Sequence, residues 1–364
     1  MPDRLYIVSA CAFEAARKVD ILPSTHPSAK LHGHSFLAKV RTQISDELAE
    51  FHGNEVSKLT QSLNRTLKPL DYAFLNNELE VPTDENLARW VRNHLELTNA
   101  ETIGIQSTAD QGVDLDGTDH IHLWRRFRFE AAHQLPNVPS GHQCGRMHGH
   151  GFEVIIHLDQ DISRADMGID YELIEKLWSP FYEQLDHRCL NDIVGLENPT
   201  SEVLSGWLWD RLKSESDALS WISVYETHTS GCHYDGNHYR IWKEQRFESA
   251  CSFPNAPDGD IRKRLHGHSY LVRLHLTAPL DDVLGWTVDY GDVKELFKPT
   301  YKLLDHHNLN DLPVIETPST SNLLYWMRNN LAGCLPELDR IDLFETPGCG
   351  AVLSWGEQGP ALPV

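Results

Sequence analysis

No run of about 18 or more consecutive apolar residues occurs in this 364-residue sequence, so no helix of it is expected to span a membrane. Basic residues are few, 32 Lys and Arg against 53 Asp and Glu, a formal net charge of −21. A field of that sign repels nucleic acid and anionic membranes and excludes a polynucleotide as the expected partner. It leaves room for a small anionic substrate, because a local basic pocket outweighs the global field at short range. The first residues, MPDRLYIVSACAF, lack a basic region followed by a long apolar core, so no signal peptide is expected and a cytoplasmic location is. The seven cysteines (Cys11, Cys144, Cys189, Cys232, Cys251, Cys334 and Cys349) are odd in number and scattered, which argues against a disulfide framework. Any special cysteine is then a reactive or metal-bound one.

An apolar fraction of 40% with 9% aromatics indicates a globular chain, and its length suffices for two or three domains, each with its own core. The chain is built from repeats. KLHGHSFL, RMHGHGFE and RLHGHSYL place His32, His148 and His266 at intervals of 116 and 118 residues. FEAAR at 13–17 matches FEAAH at 129–133 and FESAC at 247–251. LDYAFLN at 70–76 matches LDHRCLN at 185–191 and LDHHNLN at 304–310, and VPTDENL matches NPTSEVL and PSTSNLL. Four markers in one order at one period divide the chain into modules at 1–120, 121–243 and 244–364.

Module 2 reads strand, strand, helix, helix, strand, strand. WRRFRFEAAHQL and HGFEVIIHL alternate apolar and polar residues as half-buried strands do. In DYELIEKLWSPFYEQL, Ile174, Leu177, Trp178, Phe181 and Leu185 recur at three and four residues, one helical face. Thr200, Ser201 and Glu202 signal the start of a second helix, and two further strands close the module. Such an α+β unit has open sheet edges that need partners. Three of them side by side close twelve strands into an antiparallel barrel with helices outside, which accounts for the fusion.

The chemistry concentrates in module 2. His148 and His150 point to one face of a strand, and His133 on the preceding strand lies across from them. Three imidazoles without a fourth protein ligand are the donor set of a catalytic zinc with one open position. Gly149 between them lets another group approach closely. Cys144, four residues before His148, is a base or nucleophile, a fourth metal ligand, or a plain loop cysteine; spacing leaves all three open. Asp186 with His187 and Asp305 with His306 are candidate carboxylate–imidazole dyads. Glu226, on a strand, can take two donors from the guanidine-like edge of a heterocycle.

FEAAH, CGRMHGH, the LDHxxLN segment, PTSE and the YET strand together resemble the 6-pyruvoyl-tetrahydropterin synthase and 6-carboxy-tetrahydropterin synthase family. The resemblance covers essentially all of module 2 and, more loosely, modules 1 and 3. It implies the tunnelling fold (ββααββ units), in which trimers form a twelve-stranded barrel and two trimers stack head to head. This chain is then a fused pseudo-trimer, and a homodimer would rebuild the six-module particle. The resemblance implies zinc ligands at His133, His148 and His150, a catalytic cysteine at Cys144 and a pterin anchor at Glu226. The gap between Cys144 and His148 is like that of the carboxy type, which serves 7-deazaguanine (queuosine) synthesis. The implied substrate is 7,8-dihydroneopterin triphosphate, with 6-carboxy-tetrahydropterin, acetaldehyde and triphosphate as products. The enzymatic alternatives are a pyruvoyl-type synthase or a side-chain-cleaving relative; the non-enzymatic one is a pterin-binding scaffold.

The copies differ at the positions that matter. Module 3 has Cys251 for the first histidine and Arg262 for the cysteine, yet keeps His266, His268, Glu345 and its dyad, so a second metal site at Cys251, His266 and His268 is a candidate. Module 1 has Arg17, Ser28, Tyr72 and Ser107 at these positions, and Arg17 would place a cation where zinc should sit. Family sites take the dyad from a neighbouring subunit. One complete site per chain is therefore expected at the module 2–module 3 interface, with Asp305 and His306 as its dyad and Asp186 and His187 as the alternative.

Overall fold

The computed structural model describes residues 2–44, 51–96, 100–162, 165–313, 315, 317–356 and 359. Module 1 comprises β1 (Arg4–Arg17), β2 (His32–Gln43), α1 (Glu55–Leu67), the two-residue β3 (Ala73–Phe74), α2 (Asp84–His94), β4 (Ala100–Thr108) and β5 (Gln111–Asp116). Module 2 repeats the order with β6 (His120–His133), β7 (His148–Asp161), α3 (Tyr171–Leu185), β8 (Arg188–Cys189), α4 (Ser201–Leu212), β9 (Leu219–Thr227) and β10 (Ser230–Tyr234). Module 3 has β11 (Tyr239–Cys251), β12 (His266–Ala278), α5 (Tyr290–Leu304), β13 (His307–Asn308), α6 (Thr320–Leu331), β14 (Leu338–Thr346) and β15 (Cys349–Ser354). The boundary expected after residue 243 falls inside β11, because the turn at Asp235 to His238 already carries the chain into its third unit.

The last strand of each module pairs with the first strand of the next: β5 with β6, β10 with β11, and β15 with β1. These three antiparallel pairings close a twelve-stranded antiparallel barrel and leave none of its long strands with an open edge. The last closure runs from Arg4 opposite Ser354 to Val8 opposite Gly350, so the two ends of the chain hold the ring shut. The short strands β3, β8 and β13 add parallel pairs beside β1, β6 and β11.

Alternation along the strands gives the barrel two unlike faces. Phe129, Phe152, Val154 and Ile156 point outward into the main core, where Ile174, Trp178, Phe181 and Leu185 of α3 cover them as the helical spacing predicts. Trp124, Ile155, Tyr225 and Trp242 point inward and form a separate cluster. Beside that cluster runs a chain of buried polar groups, in which His122 Nε2 meets His157 Nδ1 at 2.9 Å. Ser223 Oγ lies 2.6 Å from both His157 Nε2 and His233 Nδ1. The second helix of each module opens on the same cap: Thr83, Thr200 and Ser319 accept from the N–H three residues on. Among the described residues no helix is long and apolar enough to cross a membrane.

Candidate active site

The antiparallel register of β6 and β7 sets His133 opposite His148 and Ala131 opposite His150, so all three imidazoles share the outer face at one end of the barrel. Gly149 sits between them because the Ala131 carbonyl of the neighbouring strand would lie 3.1 Å from a Cβ there; the close approach is by backbone. The ligand atoms of His133, His148, His150 and Glu226 all lie within 4.8 Å of one another. His133 Nδ1 donates to the Pro199 carbonyl at 3.0 Å and His148 Nδ1 to the Arg146 carbonyl at 2.7 Å, which leaves each Nε2 as the bare nitrogen. Nε2 of His133 and of His150 is buried without a hydrogen bond, with Glu226 Oε1 at 3.7 and 3.5 Å. Burial pushes the His133 pKa down to about 4 and lowers that of His150, which favours the neutral form of both rings. Neutral, pre-oriented nitrogens with nothing to bind are what a divalent cation requires, and the set fits a metal.

His148, His150 and Glu226 line a cavity of about 700 Å3 that also holds Cys144, with His133 buried behind them. Module 3 supplies its far wall through Trp286, Asp289, Tyr290 and Lys294. Burial, then the nearby Glu202 carboxylate, raises the Glu226 pKa to about 7, while Lys243 opposes the shift. Glu202 is itself buried and accepts from Thr287 N at 2.9 Å across the module boundary. The Cys144 thiol is pushed up by burial, then by Glu226 and Asp289. His142 links the modules: its Nδ1 accepts from Cys144 N at 3.2 Å, so its Nε2 carries the proton it donates to Asp289 Oδ2 at 3.1 Å. His142, Glu202, Asp289 and Lys243 were not anticipated. His142 stands in the quoted SGHQCG loop and Glu202 in the helix-start motif; their roles depend on contacts across a boundary with no local signature.

Both dyads form but stand outside the residues lining this cavity. Asp186 Oδ2 lies 2.8 Å from His187 Nδ1, and Asp305 Oδ2 lies 2.9 Å from His306 Nδ1. Each aspartate also accepts from a strand N–H, Glu130 or Glu248, and each histidine N–H donates back to the same residue's carbonyl. His187 and His306 hold φ of 55° and 58°, as does Tyr72 at 55°, a left-handed conformation that costs an ordinary residue about 1 kcal/mol or more. The two imidazoles are about three-quarters exposed, at 78% and 77%.

The other modules carry altered versions. In module 3, Cys251 Sγ lies 3.6 Å from His266 Nε2, and Cys251, His266 and His268 form a second group with ligand atoms within 4.8 Å. Arg262 turns away from it, donating to Asp260 and to Asn54 Oδ1 at 2.6 Å and stacking over Phe51. Module 1 holds a buried ion pair instead: Arg17 Nη1 lies 2.6 Å from Asp84 Oδ1, while Ser107 Oγ and Tyr171 Oη donate to Asp84 Oδ2 at 2.8 and 3.0 Å.

A barrel of three like units, with a metal-ready histidine set, a cysteine and a buried carboxylate converging at one unit boundary, defines an enzyme of the tunnelling-fold class. The chain belongs to the 6-pyruvoyl tetrahydropterin synthase family, whose sequence model matches it three times, at residues 6–108, 122–237 and 240–355. It is a lyase of the pterin synthase type. A 6-carboxy-5,6,7,8-tetrahydropterin synthase from Synechocystis is 35% identical over 119 residues, 31% of this chain and 91% of the relative. The Bacillus subtilis 6-carboxy-5,6,7,8-tetrahydropterin synthase is 30% identical over 127 residues, covering 31% and 84%. A dihydroneopterin monophosphate aldolase from Pyrococcus furiosus is 28% identical over 96 residues, covering 26% and 81%. Among solved structures, the 6-pyruvoyl tetrahydropterin synthase of Caenorhabditis elegans is 23% identical over 32% of this chain and 96% of its own, with a TM-score of 0.30.

Proposed function

We propose that the chain is a zinc-dependent 6-carboxy-tetrahydropterin synthase acting on 7,8-dihydroneopterin triphosphate, with one complete site per chain, in module 2. The observation that carries this reading is the pair of buried, unpartnered Nε2 atoms of His133 and His150, grouped with His148 and Glu226 at the wall of the cavity that holds Cys144. His133, His148 and His150 would hold the zinc ion. Bound there, the ion supplies Lewis acidity toward the substrate's side-chain hydroxyls and positive charge that favours the Cys144 thiolate.

Glu226 receives the two N–H donors of the pterin's amino-pyrimidine edge, a charge-assisted contact that fixes the ring. Cys144 moves protons at the side-chain carbons, and the hydrogen bond from its N–H to His142 holds its loop against Asp289. An Asp–His dyad would tune the proton transfer; Asp305 with His306 is the assignment, although neither dyad lines the cavity within the single chain. His306→Ala should abolish turnover and His187→Ala should not; the reverse result makes Asp186 and His187 the working pair. The Arg17–Asp84 pair supports the reading that module 1 binds no zinc, since its guanidinium already satisfies the buried acid.

Two copies of the chain would stack head to head. Leu31, Met147 and Leu265, each one residue before its HGH triplet, are more than half exposed and repeat around the same end of the barrel, an apolar ring suited to a second copy. The reaction is tested by incubating the purified chain with dihydroneopterin triphosphate, with and without a chelator, and identifying the products. Acetaldehyde with a 6-carboxy pterin, lost with chelator, supports the reading. A 6-pyruvoyl pterin or glycolaldehyde reassigns the chemistry, and no metal with no turnover supports a pterin-binding scaffold.

A further inference from the structure

A groove of about 530 Å3 adjoins the cavity of module 2 and shares Lys243 and Lys294 with it. One wall is β11, from Lys243 to Arg246; the other is the face of α5 that carries Lys294, Lys298 and Lys302 at intervals of four residues. That row spans about 12 Å along the helix axis. Five cations line the groove against two acids, Glu244 and Glu295, in a chain whose net charge is −21. Glu244 is taken by Arg273 at 2.6 Å and Glu295 by Lys298 at 2.8 Å. Among the described residues, Lys294, Lys302 and Arg246 make no ion pair. Lys243 is half-buried, and its pKa is lowered by burial and then by the charge of Lys294.

The threefold repeat supplies an internal control. At the positions of Lys243 and Lys294, the module 1–module 2 boundary has Arg125 and Glu175, a salt bridge of 2.8 Å. The module 3–module 1 boundary has Ser9 and Thr60 there, hydrogen-bonded at 2.8 Å. At the positions of Lys298 and Lys302, α3 carries Ser179 and Glu183, and the corresponding chain of module 1 carries Asn64 and Lys68. At the position of Arg246, Arg128 is bound by Asp110 and Glu153, and module 1 has Ala12. Of the two equivalent grooves, one is neutralised by ion pairs and the other keeps a single lysine, Lys68. The one that keeps unpaired, mutually repelling lysines is the one beside the cavity with three histidines and Cys144.

We propose that this groove is a polyphosphate subsite: it binds the linear phosphate tail of the substrate whose ring Glu226 holds, and selects for several phosphoryl groups over one. The proposal deepens the pterin-lyase reading and rests on it for the identity of the ring. A row of ammonium groups matches a chain of phosphoryl oxygens without demanding a fixed fork geometry, as lysine point charges do.

The probe is inorganic tripolyphosphate, titrated calorimetrically into the full chain and into a Lys298→Ser/Lys302→Glu double variant, which installs the module 2 residues on α5. Both side chains are on the protein surface and outside the pterin cavity, so folding is not at stake; metal content and binding of unphosphorylated dihydroneopterin report on that directly. Tripolyphosphate binding at least tenfold weaker in the variant, weaker orthophosphate binding throughout, and a raised KM with kcat held for the phosphorylated pterin are expected. Tripolyphosphate binding unchanged by the swap, or orthophosphate binding as well as tripolyphosphate, overturns the subsite. A wild-type chain that binds tripolyphosphate in a swap-sensitive way but converts no pterin refutes the lyase reading and leaves the subsite standing. A chain that turns over substrate with a KM indifferent to the swap does the opposite.

Discussion

Replacing Arg17 by methionine tests whether module 1 has exchanged a metal for a fixed guanidinium. Arg17 and Asp84 are 5% and 3% exposed, and Nη1 to Oδ1 is 2.6 Å, so this is a buried pair. Removing the cation strands the carboxylate with only Ser107 and Tyr171 as donors. Breaking a buried pair from one side costs about 3–5 kcal/mol, most of it the desolvation of the orphaned charge. Replacing both partners by apolar side chains leaves no orphan, so Arg17→Met/Asp84→Leu should recover most of the loss. Urea unfolding followed by tryptophan fluorescence at pH 7 reads both stabilities. A single-variant loss below 1 kcal/mol, or a double variant less stable than the single, would refute the reasoning.

Three other outcomes follow from the same geometry. Glu226→Gln keeps the shape but gives up one charge-assisted acceptor, about 1.5–3 kcal/mol, so pterin binding should weaken roughly 10- to 150-fold with metal content retained; calorimetry checks it. Cys144→Ala should lower turnover by about 10²–10⁴-fold while zinc and pterin binding persist, which steady-state rates and metal analysis separate. Stability should fall on mild acidification, because burial holds the lumen histidines His157, His233 and His275 neutral, the last at about 3. Their folded pKa values lie below the unfolded value near 6.5, so the unfolded chain binds the protons first; the three together should cost about 3 kcal/mol between pH 6.5 and 5.5. Denaturation midpoints across that range measure it, and His275→Gln should flatten the slope by about a third.

The fold was legible because its signals are local and repeated. Period-two alternation marks β6 and β7, the spacing of Ile174, Trp178, Phe181 and Leu185 marks α3, and Thr200 caps α4 as its residue type suggests. Open sheet edges in three copies were enough to argue for closure. The grouping of the three histidines was legible for the same reason, since His148 and His150 are i and i+2 on one strand and His133 is the cross-strand partner of His148. The module 3 wall of the cavity was not. Asp289 meets His142 across 147 positions, and Glu202 meets Thr287 across 85, contacts to which no spacing rule applies. The dyads were recognised as pairs, but their exposure follows from the backbone clamp onto Glu130 and Glu248 and from the left-handed turn, neither of which a dipeptide announces. The lysine row on α5 was open to view all along: aligning Lys294, Lys298 and Lys302 with Glu175, Ser179 and Glu183 needs only the repeat itself.

The central claim is that three HGH triplets share a fold position and one of them shares the chemistry. It is tested most directly by turnover of dihydroneopterin triphosphate in three single variants, His32→Ala, His148→Ala and His266→Ala, prepared side by side with zinc. The account predicts that His148→Ala falls to background while the other two keep the wild-type rate within a few-fold. Loss of turnover in His32→Ala or His266→Ala, with His148→Ala active, would contradict it.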